Sequence, residues 1–168
     1  MTAHRAPVPV SLFSIPVGLL AFASTWHEGA RLWHLPGDVA QAFTFAGLAA
    51  WAVLLALYAH KWVAHRADAL AELRHPLQSA FAALVPVSSM LAAVALIPFS
   101  REAATALFVV AIAAQLALGL SLNGRMWMGE RPPELVTPAL YLPSVAQSFV
   151  AATASAAFGW HQDRKRHV

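Results

Sequence analysis

Five stretches of this chain contain no Asp, Glu, Lys or Arg: residues 6–27, 39–60, 75–100, 103–124 and 135–162. Each is long enough to hold the ~20 residues that carry an α-helix across a bilayer. Nothing else in the sequence constrains the fold as tightly. A backbone inside hydrocarbon must satisfy its own hydrogen bonds, and a single segment does that only as a helix. The chain is 59% hydrophobic and 11% charged, against about 25% charged in soluble domains. The stretches therefore predict an all-α membrane protein of five transmembrane helices in up-down hairpins. The spans fall at about 8–26, 39–60, 77–98, 103–123 and 136–159 of a single membrane domain, 1–168.

The connections at 28–38, 61–74, 101–102 and 125–134 are short. Turn residues mark them, as in "LPGD" at 35–38 and "ERPPE" at 130–134. Trp26, Trp33, Trp62, Trp127 and Trp160 sit at or beyond span ends, as in an interfacial aromatic belt. Trp51 is the exception, in the middle of the second span. The first span has Arg5 ahead of it and the triplet Ala21-Phe22-Ala23 within it. Its length, and the four spans behind it, favour a helix that is kept over a cleaved leader.

Orientation follows from the basic residues. Arg5, Lys61, Arg66, Arg74, Arg125 and Arg131 lie on one side, and Arg31 and Arg101 on the other. This predicts a multi-pass protein of the cell's inner (plasma) membrane with a cytoplasmic amino terminus. The tail "DRKRHV" carries three more basic residues on the side where they are not expected. The net charge of +3 flanks the spans, so the bilayer and its anionic headgroups, and no nucleic acid, are the expected partners.

Proline is patterned. Pro16 lies in the first span, Pro86 in the third and Pro143 in the fifth; the second and fourth have none. Each is followed within a turn by a small residue: Gly18, Ser88 with Ser89, and Ser144 with Ser148 further on. A proline inside a soluble helix costs about 3 kcal/mol, because one hydrogen bond is lost. Freed groups at bilayer depth need protein or water beside them. One arrangement satisfies this: odd helices, kinked, around a shared axis, and even helices as a lipid-facing shell. The segment after each proline then begins a half-helix whose positive end and serine hydroxyls make a weak anion-solvating ring. The same serines can instead close on the preceding turn or a neighbouring helix.

At these residues the chain resembles a known family. "SIPVGLLAFAST", "VPVSSMLAAVALIP" and "TPALYLPSVAQSFVAATASAAFG" are similar to the tellurite-resistance/C4-dicarboxylate transporter family, which takes in the TehA-like proteins and the slow-type anion channels. The resemblance implies ten helices in five hairpins, with proline-kinked odd helices lining a central pore, and trimeric association. Carried over by position, Pro16, Pro86 and Pro143 become pore-helix kinks, and Phe13 and Phe149 aromatic neighbours of the pore. The implied pore-lining set is Phe13, Pro16, Gly18, Pro86, Ser88, Ser89, Pro143, Ser144, Ser148 and Phe149. The family's plugging phenylalanine belongs to a ninth helix. With five spans and the misplaced tail, this predicts a truncated amino-terminal half.

Other chemistry finds little footing. There is no cysteine. His27-Glu28 lacks the second histidine of a zinc-protease motif. His60, His65 and His75 read as loop and headgroup residues, and Glu28 with Arg31 as a loop charge pair. Gln41 and Gln115 suit helix-to-helix hydrogen bonds. No nucleophile–base set, phosphate loop or carboxylate pair is present, so neither enzyme function nor a cofactor is expected. The expectation is passage of small anions: monovalent anions, dicarboxylates or tellurite-type oxyanions. An embedded accessory subunit and a non-functional fragment are the alternatives.

Overall fold

The computed structural model describes residues 8–75, 78–127 and 142–159, and every regular element in them is helical. A 3-10 turn at Val10–Phe13 leads into α1 (Ser14–Trp33), followed by α2 (Gly37–Ala64) and α3 (Arg66–Arg74). Then come α4 (Gln78–Ala82), α5 (Leu84–Leu96), α6 (Arg101–Trp127) and α7 (Leu142–Ala157). Four described segments are long and apolar enough to cross a membrane: Val10–Trp33, Gly37–Ala64, Gln78–Leu96 and Arg101–Ser121. The expected fifth span, 136–159, begins outside the described residues. Its described part is α7.

Helices α1 and α2 form a hairpin. His34 ends α1 in the left-handed conformation, at φ 55°. Trp26 reaches over the turn and donates its indole N–H to the Pro36 carbonyl at 3.0 Å. The two helices approach closely at Gly47, where a Cβ would stand 2.7 Å from Leu20 Cδ2. Small residues allow such contacts between helices that have only lipid as the competing neighbour.

Two connections expected to be loops are largely helical. Helix α1 runs on through Trp33, and α2 continues to Ala64 and is followed at once by α3. Lys61 thereby falls in the last turn of α2, 1% exposed. Its ammonium lies 2.8 Å from Glu72 Oε2 of α3 and donates to the Val8 carbonyl at 3.1 Å. A buried charge is tolerated only when paired in this way. The pair fastens the entering chain and α3 to the end of α2.

Pro16 and Pro86 sit at helix starts, and Pro143 lies where the described part of α7 begins. Pro86 is the third residue of α5, after a break at Ala83 that separates α4 from α5. Pro16 is the third residue of α1, after the 3-10 turn, and Pro143 is the second residue of α7. First-turn N–H groups have no partner within their helix, so proline costs little there. At the interruption Ala83 keeps helical angles, φ -66° and ψ -17°, and Val87 N–H donates to Ala83 O at 3.3 Å.

Helix α5 is the centre of the bundle and packs against α1, α2, α6 and α7. Pro86 through Ala93 are all buried. Met90 and Ala93 join Ala104, Phe108 and Ala111 of α6, with Ala154 and Phe158 at the end of α7. On another face Leu91 and Ala92 meet Leu20 of α1. Helices α2 and α6 keep apolar residues such as Val53, Val109 and Leu120 exposed, as lipid-facing helices do. At the end of α7, Arg101 donates to the Phe158 carbonyl at 2.9 Å, and Gly159 turns the chain at φ 77°.

Candidate functional site

A cavity of about 690 Å³ opens at the end of the bundle where α1 gives way to α2. Its walls come from the carboxyl-terminal halves of α1, α5 and α7 and from the first turns of α2. Leu20, Leu91, Val94 and Val150 supply apolar surface, and Phe45, Phe99 and Phe149 supply aromatic rings. Ser24 and Thr25 of α1, Thr44 of α2 and Thr153 of α7 supply hydroxyls. His27 and Glu28 are the titratable groups in the lining, and Gln41 adds an amide.

The hydroxyls share one arrangement. Ser24 donates to Leu20 O at 2.9 Å, Thr25 to Ala21 O at 2.9 Å and Thr44 to Ala40 O at 2.8 Å. Thr153 is placed 3.0 Å from both the Phe149 and Val150 carbonyls. Each proton is turned back onto the residue's own helix, a habit of Ser and Thr in apolar helices. What these groups turn outward is acceptor lone pairs. Glu28 lies 3.4 Å from Arg31 one turn on, both exposed. The pair stands on the last turns of α1, where the sequence placed a loop. Such a pair contributes at most about 1 kcal/mol, yet it offsets the carboxylate charge at the mouth.

The residues singled out from the sequence are spread over three places. Phe149, 70% exposed, lines the cavity, and Ser148 is exposed beside it. Phe13 is fully buried towards the opposite end, edge-on to Tyr58 at 5.7 Å. Pro16 is buried, whereas Gly18 is exposed, with open space where a Cβ would be. Pro86, Ser88 and Ser89 form a buried cluster at the start of α5. Both hydroxyls donate to the Val85 carbonyl at 2.8 Å, and Ser89 Oγ also accepts the indole N–H of Trp51 at 3.1 Å. The side chains of Pro143 and Ser144 lie outside the described residues.

Sequence reasoning passed over Thr44 and Thr153, noted Trp51 only as an exception to the aromatic belt, and read His27 only as a failed metal motif. Trp51 did carry a signal, since an indole in mid-span needs a partner for its N–H. Among the described residues no three of His, Cys, Asp or Glu come together as a metal-holding group.

Four apolar segments long enough to cross a membrane, with the one that holds α5 at the centre, and a hydroxyl-bearing cavity at one end define a polytopic helical membrane protein. The sequence matches the SLAC1 voltage-dependent anion channel family over residues 7–167, and the chain belongs to that family. It is 28% identical over 156 residues to the tellurite resistance protein TehA homolog of Haemophilus influenzae, a match covering 92% of this chain and 48% of that protein. The chain thus spans about half the length of the curated relative it matches.

Proposed function

We propose that this chain forms part of a transmembrane path for small anions, with the cavity as the vestibule at one end. The observation that carries this reading is that α1, α5 and α7, the helices that carry Pro16, Pro86 and Pro143, all line the same cavity. The proline starts of α1 and α5 lie at the far end of these helices from the cavity, so their positive dipole ends act deeper along the path and not at the vestibule. Among the described residues no Lys or Arg lines the cavity, so an anion is held weakly and leaves readily, as conduction requires. Monovalent anions fit best. Dicarboxylates and tellurite-type oxyanions are the rival cargoes, the latter suggested by the name of the TehA homolog.

On this reading α7 completes a fifth crossing, the amino terminus is cytoplasmic in the plasma membrane, and protomers associate as trimers. The test is nitrate or chloride efflux from liposomes holding the purified chain. Flux above that of empty liposomes, cut severalfold by Thr153→Trp, is the expected result. Absence of flux, with a stoichiometric membrane partner on purification, favours the embedded-subunit alternative.

A further inference from the structure

The cavity is short of groups that can donate to an anion. Four hydroxyls have turned their protons onto their own helices. Glu28 is a carboxylate, offset by Arg31 at 3.4 Å. Helices α5 and α7 present only neutral side chains to the cavity. His27 is the one described lining residue that can carry a positive charge. It is exposed and stands beside Glu28 at the mouth.

We propose that His27 is the charge switch of this vestibule: protonated, it attracts and hydrogen-bonds an anion; neutral, it leaves a described lining with no positive charge and one carboxylate. The inference rests on the anion-path reading and names the residue that regulates it. Histidine is the side chain that changes charge between about pH 5 and 8. Among the described residues, the other charged or titratable groups at this end have places of their own. Arg31 faces Glu28, and Arg101 is held by the Phe158 carbonyl. Asp38, in the first turn of α2, and Glu102, in the first turn of α6, are acidic and stand outside the lining. His34, which caps α1, also stands outside it.

The direct test is nitrate flux in liposomes at equal pH on both sides. Nitrate keeps its charge throughout, so the result cannot come from passage of a neutral acid. Flux is expected to rise about three- to tenfold from pH 8 to 5.5, the effect of one charge at a partly hydrated mouth. His27→Gln brings that ratio close to one, and His27→Arg makes it flat as well. His34→Gln retains the rise. A ratio that survives His27→Gln overturns the proposal and leaves the anion path standing.

A second measurement does not depend on transport. In detergent, the histidine ring resonances are titrated in nitrate and in gluconate, and His27 is assigned from the His27→Gln spectrum. Its midpoint is expected to move to higher pH in nitrate, because an anion favours the charged ring. A midpoint indifferent to nitrate overturns the proposal. A nitrate-dependent midpoint without flux upholds the switch and counts against the conducting path.

Discussion

The indole of Trp51 on α2 donates to the hydroxyl of Ser89 on α5 across 3.1 Å, and that hydroxyl donates in turn to Val85 O at 2.8 Å. A proline break, a serine and a tryptophan on another helix are joined through one carbonyl. Trp51→Phe keeps most of the ring and removes the donor. It is expected to cost about 0.5–1.5 kcal/mol, read as a lower unfolding midpoint in detergent. A cycle with Ser89→Ala should give a coupling near 0.6 kcal/mol, typical of hydrogen bonds between membrane helices. No coupling would mean the bond is not formed in the membrane protein.

Gly47 sets the distance between α1 and α2. Gly47→Ala puts a methyl 2.7 Å from Leu20 Cδ2 and should destabilise by about 1–3 kcal/mol. Leu20→Ala is costly by itself, but the double variant should lose at least about 0.5 kcal/mol less than the two single losses together. Strict additivity would show that the contact does not limit packing.

Lys61 and Glu72 form a pair in which each partner needs the other. Lys61→Met leaves a largely buried carboxylate and the Val8 carbonyl unpaired, at an expected cost of about 3–5 kcal/mol. Replacing both, as Lys61→Met with Glu72→Leu, should recover most of it. Limited proteolysis around α3 would report the loosening in the single variant and its reversal in the double.

Pro86 should be nearly neutral to replacement. A proline in mid-helix costs about 3 kcal/mol, and one in the first turn costs little. Since Pro86 is the third residue of α5, Pro86→Ala is expected to shift stability by less than about 1 kcal/mol. A gain near 3 kcal/mol would place it inside a continuous helix.

What could be read from the sequence followed from charge. The uncharged stretches coincide with α1, α2, α4–α5 and α6, because an unpaired charge cannot be left in hydrocarbon. That reasoning misjudged Lys61, which was assigned to a loop. Its partner lies eleven residues ahead and is brought to it by α3, a meeting no local pattern records. The prolines were found, whereas the interruption at Ala83 ahead of Pro86 has no signature of its own. The serine cluster admitted two readings, and the hydrogen bonds to Val85 decide its arrangement here. The cavity was the least visible feature. Thr44 and Thr153 come from helices far apart in sequence, and only their packing around α5 brings them to one wall.

Those hydroxyls have a further consequence. Turning a Ser or Thr side chain about one bond takes picoseconds to nanoseconds at an exposed position, and it changes an acceptor facing the lumen into a donor. Such a turn gives up the bond to the helix's own carbonyl, so the wall rests with its acceptors outward. Any group that drew one proton outward would leave a backbone carbonyl without its bond, and that carbonyl would pull the proton back.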